Sequence, residues 1–242
     1  MTIEILRNKN CLITGATGGL GQEIAKHLLN NQCNLFLTSQ NQQKLSKLKQ
    51  TLEENNPNGC RISYCSGNLS DLSHIQKIFK IVRKDFDSVD ILINCAGLFL
   101  SKPISKSTLE DFQKVFDVNI RAPFLFCKEF SKDMIRKKWG RIVNIGSSSS
   151  YSGFKNGSIY CASKHAMLGL SRSLFNELKE YGVRAYCISP GSIKTKMGKL
   201  SKDQDYNTFL EPSEVAKYVE FIISFNDDLV SEEIRLNRIN LQ

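Results

Sequence analysis

Short apolar runs alternate with longer segments in which apolar residues recur every three or four positions, and the alternation continues from one end of the chain to the other. The short runs are bounded by Gly, Asn and Ser, and they predict strands at 10–14, 34–38, 61–65, 89–94, 141–146, 183–189 and 233–238. The longer segments predict helices at 19–31, 41–55, 71–86, 111–137, 158–180 and 212–224. In the fifth of these, Ala162, Ala166, Leu170 and Leu174 form one apolar stripe, while Lys164, Arg172 and Lys179 lie off it. Strand and helix follow each other without a linker rich in Pro, Gly or Ser. The pattern predicts an α/β fold: one domain over 1–242, with a doubly wound, seven-stranded, mostly parallel sheet and helices on both faces. Ligands of such sheets bind beyond the carboxyl ends of the strands, so the residues just after each strand are where chemistry is expected.

Composition narrows the class. The 242 residues are 41% hydrophobic and 24% charged, enough to build a large core and unlike a disordered or collagen-like chain. No apolar run approaches the ~18 residues of a membrane span. The first residues carry Glu4, Arg7 and Lys9, unlike a signal peptide, so a cytoplasmic protein is expected. Thirty-three Lys and Arg against 24 Asp and Glu give a formal charge of +9. These charges are dispersed, and the densest group, Lys132, Arg136, Lys137, Lys138 and Arg141, lacks the interleaved aromatics of a nucleic-acid module. No nucleic-acid partner is expected, although such a group would attract an acidic protein. The eight cysteines include no CxxC pair and mostly sit in apolar runs, as reduced, buried thiols do. His27, His74 and His165 fall in three different helices, and no metal site is expected.

The segment Thr14-Gly15-Ala16-Thr17-Gly18-Gly19-Leu20-Gly21 follows the first strand and opens a helix, the setting in which glycines cradle a dinucleotide pyrophosphate. Gly15 permits a tight turn, Gly19 lets a phosphate approach the backbone, and Gly21 permits close helix packing, while the helix N-terminus offers free N–H groups. The spacing is Gly-x3-Gly-x-Gly rather than Gly-x-Gly-x2-Gly.

A Tyr four residues before a Lys puts both side chains on one helix face. Two such pairs occur, Tyr151/Lys155 and Tyr160/Lys164, where chance alone supplies roughly one. The first lies in a loop after four serines and encloses Gly153. The second opens the strong helical pattern after the fifth strand and is the pair expected to carry chemistry.

Together these motifs resemble the short-chain dehydrogenase/reductase family along essentially the whole chain. Thr14 to Gly21 matches its glycine motif, Asn94-Cys95-Ala96-Gly97 its Asn-x-Ala-Gly, and Tyr160 with Lys164 its Tyr-x3-Lys. Asn119 and Pro190-Gly191 complete the order. The chain is most similar to the 3-oxoacyl-[acyl-carrier-protein] reductases, through GRIVNIGS and YCASKHAMLGLSRSL. The resemblance implies a Rossmann-type fold and an NAD(P)H-dependent reduction of a carbonyl to a hydroxyl, as in fatty acid biosynthesis.

It also implies roles for particular residues. Tyr160 would donate the proton, Ser147 would hydrogen-bond the carbonyl oxygen, Lys164 would lower the Tyr160 pKa and hold the ribose, and Asn119 would anchor a water behind Lys164. The family's catalytic Ser stands thirteen residues before its Tyr, which selects Ser147 from four consecutive serines and leaves Ser149 as a substrate contact. The cofactor contacts would be Gly15, Thr17, Gly18, Gly19, Leu20, Gly21, Thr38, Ser39, Asn68, Leu69, Asn94, Ala96, Gly97, Tyr160, Lys164, Pro190, Gly191 and Ile193.

The second strand ends Leu37-Thr38-Ser39-Gln40-Asn41 without a carboxylate, which favours NADP(H) over NAD(H). Gly18 stands where many NADP-dependent relatives carry a basic residue. Residues 192–211 form a substrate lid shorter than carrier-protein reductases usually have, and EEIRLNRINLQ lacks their Gly-Gly after the last strand. Substrate readings therefore include a 3-oxoacyl thioester and a short-chain 3-hydroxy acid or other small carbonyl or alcohol, with a non-catalytic nucleotide-binding regulator as the reading from another class. Acyl carrier protein is a candidate partner through the cluster around Lys138, and a homodimer or homotetramer is expected.

Overall fold

The computed structural model describes residues 4–56, 58–201 and 203–239; residues 1–3, 57 and 240–242 of the expected domain, and 202 of the expected lid, lie outside them. Seven strands form one sheet: β1 (Asn10–Thr14), β2 (Asn34–Ser39), β3 (Ile62–Ser66), β4 (Ile91–Asn94), β5 (Gly140–Ile145), β6 (Val183–Pro190) and β7 (Glu233–Leu236). Their order is β3-β2-β1-β4-β5-β6-β7, and each pairing is parallel. The order reverses between β1 and β4, which opens a crevice at their carboxyl ends.

Alternation along the strands builds a core on each face. Cys11, Ile13, Leu35 and Leu37 pack under α1 (Gly19–Asn30), α2 (Gln42–Glu54) and α7 (Pro212–Ile223). Leu12, Phe36, Leu92 and Ile142 pack on the other side with α3 (Leu72–Asp85), α5 (Ala122–Lys137) and α6 (Ser158–Leu178). Burial on both faces is why the strands read as continuous apolar runs.

The helix expected over 111–137 is three pieces. It starts as α4 (Leu109–Phe116), where the Thr108 hydroxyl accepts from the Asp111 N–H at 3.1 Å and the Asp111 carboxylate accepts from the Thr108 N–H at 3.0 Å. A π-turn over Asp117–Arg121 then separates it from α5. The apolar repeat runs on through the turn, so periodicity alone did not reveal the break.

The basic cluster is largely consumed within the fold. Lys137 donates to the Asp90 carboxylate at 2.6 Å and to the Ser88 hydroxyl, at the amino ends of the strands. Arg136 pairs with Asp133 at 3.0 Å and Lys132 with Glu129 at 3.6 Å. Lys138, the left-handed residue that ends α5, and Arg141 are the members without an ion-pair partner among the described residues.

Arg141 is 1% exposed. Its guanidinium donates to the carbonyls of Ile223 (3.2 Å), Gly140 (2.9 Å) and Phe225 (2.8 Å), capping the end of α7, and it stacks 4.5 Å from the Trp139 ring. Burial pulls its pKa down to about 10. Arg141→Met leaves these carbonyls without a donor and is expected to cost about 3 kcal/mol. A thermal melt should show this as a drop of roughly 10 °C.

Candidate active site

The glycine turn closes against the strand beside it. Gly15 has φ +67°, and a Cβ there would stand 2.7 Å from Ala96 Cα; at Gly21 it would stand 2.4 Å from the Gly15 carbonyl oxygen. Gly18 precedes α1, and neither a side-chain cap nor an acidic residue occupies the first turn, so its N–H groups and the positive end of the helix face the crevice. The Thr14 hydroxyl accepts from the N–H groups of Cys95 (3.2 Å) and Ala96 (3.1 Å), holding the loop after β4 against the turn. These contacts bring Gly15, Thr17, Gly18, Gly19, Leu20, Gly21, Ala96 and Gly97 together.

At the end of β2 the Thr17 and Ser39 hydroxyls lie 2.6 Å apart. Thr38 is placed otherwise than expected: its side chain is fully buried, and Oγ1 has no partner among the described residues. Thr38 faces the buried core, whereas Ser39, at the end of β2 beside the Thr17 hydroxyl, and the exposed Gln40 just beyond it are the residues here at the carboxyl end of the strand. Asn94 is also turned inward, donating to the Asn144 amide oxygen at 2.8 Å. Asn68 follows β3, where its amide oxygen accepts from Gln40 at 3.1 Å, and Leu69 is buried beside it. Gly191 donates to the Leu236 carbonyl at 2.8 Å just beyond Pro190, and Ile193 pairs with Leu210, pinning the two ends of segment 192–211 together. A Cβ on Gly19 would come within 2.8 Å of the Thr195 methyl, so this segment lies directly on the glycine turn.

Tyr160 and Lys164 occupy the first turns of α6, 7% and 5% exposed. The Lys164 ammonium donates to the Ile145 carbonyl at 2.8 Å and stands 5.9 Å from the Tyr160 ring centroid. Ser147 begins the turn after β5, its hydroxyl accepting from the Ser149 N–H at 3.1 Å; Ser149 itself is buried. Burial pushes the Tyr160 phenol up to about 12, with the neighbouring Ser147 hydroxyl pulling the other way. Burial pulls Lys164 down to about 8. Loss of water is the largest influence on the phenol.

Asn119, in the middle of the π-turn, makes three hydrogen bonds. Its amide oxygen accepts from the Leu98 N–H at 2.7 Å, and its nitrogen donates to the Leu98 carbonyl and the Ser163 hydroxyl, both at 3.0 Å. Ser163 in turn donates to the Tyr160 carbonyl at 2.7 Å. Both ends of the side chain thus bond protein groups. It ties the loop after β4 to α6.

Two further groups shape the site, of which the aromatic one carried no motif. The Phe99 ring meets Tyr160 edge-on with centroids 4.9 Å apart and stacks against Phe154 at 5.9 Å. Gly97 is the other: a Cβ there would stand 3.9 Å from both the Lys164 ammonium and the Met197 methyl. By contrast Tyr151 donates to Glu233 at 3.2 Å, away from this cluster, consistent with the choice between the two Tyr-x3-Lys pairs.

A phenol, a serine hydroxyl and an ammonium at the mouth of a glycine-lined crevice define an oxidoreductase whose cofactor is a nicotinamide dinucleotide. The chain belongs to the short-chain dehydrogenase family, whose model matches residues 9–205. It is 33% identical over 228 residues to a 3-oxoacyl-[acyl-carrier-protein] reductase of Rickettsia conorii, covering 90% of each chain. It is 30% identical over 217 residues to an uncharacterized oxidoreductase of Staphylococcus saprophyticus, covering 88% of this chain and 89% of the other. Among solved structures, a metagenomic short-chain oxidoreductase in complex with NADP superposes with a TM-score of 0.84 at 25% identity, over 97% of this chain and 99% of that one.

Proposed function

We propose that the protein is an NADP(H)-dependent reductase that converts a carbonyl to a hydroxyl, with a 3-oxoacyl thioester as its substrate. The observation that carries this reading is the convergence of Ser147, Tyr160 and Lys164 beside Gly97, together with full-length similarity to reductases bearing that name.

The chemistry of the crevice suits a dinucleotide: the first turn of α1 is uncapped and offers its N–H groups, and Gly15 and Gly21, where a Cβ would strike backbone, keep the turn tight against the helix and the loop after β4. The turn from Gly15 to Gly21 would hold the pyrophosphate, Ser39 and Asn68 the adenosine side, and Gly97, Lys164, Pro190, Gly191 and Ile193 the nicotinamide side. When bound, the dinucleotide supplies the hydride. Tyr160 hands its proton to the carbonyl oxygen, which charge makes basic as it develops, and Ser147 holds that oxygen in place. Lys164 supplies a positive charge that favours the departing proton. Asn119 keeps the loop carrying Gly97 and Phe99 in register with Tyr160.

The absence of a carboxylate at the end of β2 supports NADP(H). Because Ser39 rather than the buried Thr38 stands beside the Thr17 hydroxyl, the informative substitution is Ser39→Asp. It is expected to reverse the preference from NADPH to NADH, by about tenfold or more, through repulsion of the 2′-phosphate. Equal use of both cofactors by the wild type would remove the argument.

Phe99 and Phe154 form an apolar wall over Tyr160, suited to the acyl flank of the substrate. The compact segment 192–211 favours the second reading, a short-chain 3-hydroxy acid or small ketone. With most of its cluster paired internally, docking of an acyl carrier protein rests on Lys138. Leu109, Phe112 and Phe124 are exposed on α4 and α5 and support assembly into a dimer. A panel read at 340 nm with NADPH decides among these. Acetoacetyl thioesters, free and carrier-bound, are expected to exceed small ketoacids in kcat/KM; the reverse order would establish the second reading, and no turnover on any carbonyl would overturn the first.

A further inference from the structure

The two ends of the site are joined by hydrogen bonds, an ion pair and one stretch of backbone, along a path that passes through one arginine. Gln40, beyond β2, donates to the Asn68 amide oxygen at 3.1 Å. The same oxygen accepts from the Ser70 N–H at 3.1 Å and the Ser70 hydroxyl at 2.9 Å, fixing the loop after β3. The Ser70 carbonyl accepts from Arg121 at 2.8 Å, across 51 residues of sequence. The other arm of the guanidinium pairs with Asp117 at 2.7 Å. Asp117 and Arg121 are the first and last residues of the π-turn, so this pair closes over the turn whose middle residue is Asn119. From Asn119 the path continues to Leu98 and through Ser163 to the Tyr160 carbonyl.

A π-turn is an uncommon conformation that persists where something holds it. Here the planar fork of an arginine holds both its ends, and only an arginine presents two donors in that geometry. Its Nε is buried and has no partner among the described residues, so the side chain spends its contacts on these two alone.

We propose that Arg121 is a positioning residue which couples occupancy of the adenosine end of the crevice to the placement of Asn119, and through it to the proton-transfer end. The proposal rests on the dinucleotide reading given above. Ligand that immobilises Asn68 and Ser70 fixes the Ser70 carbonyl, which fixes Arg121 and narrows the motion of the π-turn. A continuous network is not by itself proof of coupling, so the test must perturb one end and read the other.

The probe is 2′,5′-ADP, which carries the adenosine half without the nicotinamide, with 5′-AMP beside it. In the wild type its binding is expected to slow amide hydrogen exchange across 117–121 by about fivefold. Arg121→Met and Asp117→Asn should abolish that protection while still binding the probe by calorimetry, and Arg121→Lys should retain part of it. In turnover, Arg121→Met is expected to lower kcat about tenfold with NADPH at unchanged KM for the carbonyl substrate. With reduced nicotinamide mononucleotide, which has no adenosine, kcat should not change. Protection that survives in both variants, its absence in the wild type, or equal loss of kcat with both reductants would overturn the proposal. Failure of the wild type to bind either adenosine probe would overturn the dinucleotide reading and this inference with it.

Discussion

Tyr160→Phe is expected to lower kcat by about a thousandfold while leaving NADPH affinity within a few fold. The substitution keeps the ring that packs edge-on against Phe99 and removes only the hydroxyl. With it goes the hydroxyl proposed to donate the proton, beside Ser147 and buried with Lys164, and an incoming carbonyl oxygen would develop charge without it. Tyr151→Phe provides the control: it removes a hydrogen bond to Glu233 at the sheet edge and should leave turnover nearly unchanged. Single-turnover kinetics with a fluorescence titration of NADPH separates the two effects. Loss of turnover in Tyr151→Phe and its retention in Tyr160→Phe would invert the assignment.

Alkaline pH is expected to unfold the protein steeply from about pH 9. Cys33 and Cys127 are buried, and burial lifts each thiol from 9.0 to about 12; Cys11 and Cys187 are raised in the same direction. Between pH 9 and 12 the unfolded chain releases these protons and the folded chain keeps them, so stability falls as pH rises. Three pKa units correspond to about 4 kcal/mol for each of Cys33 and Cys127, comparable together to the whole stability of many domains. Tyr160, raised to about 12, adds to the loss above pH 10. Lys164 acts in the opposite sense, because its pKa near 8 lies below its ordinary 10.5 and stability from this group rises across that interval. One ammonium against four thiols does not reverse the trend. Urea melts from pH 7.5 to 11 measure it, and Cys33→Ala with Cys127→Ala should flatten the curve; an unchanged slope would reject the account.

The fold was legible because its signals are local. Strands buried on both faces read as apolar runs, Gly15 marks a left-handed turn, and Tyr160 and Lys164 fall one helical turn apart. What was missed depends on partners distant in sequence. Lys137 reads as a surface charge until β4 brings Asp90 against it from 47 residues away. Arg141 reads the same way, yet the end of α7 returns to lay the Ile223 and Phe225 carbonyls on a side chain at the start of β5. Thr38 and Ser39 are neighbours on opposite faces of the strand, and a shift of one residue there exchanges a buried side chain for a half-buried one at the strand's end. Phe99 and Phe154 carry no motif because the wall they form joins two loops.

The π-turn over Asp117–Arg121 is, in helical terms, one residue too many. Removing Ile120 would let the chain run as a continuous α-helix from Leu109 to Lys137, which lies within ordinary backbone geometry. The stacked Phe112 and Phe116 rings would keep their face, because the wider π-turn winds through about one residue's angle less than an α-helix of the same length, while Asn119, inside the turn, would lose the position from which it bonds Leu98. A point substitution weakens a contact, whereas a single deletion here would leave the helix well formed and unmake the bulge that presents Asn119. This stretch is therefore expected to accept changes of side chain far more readily than changes of length.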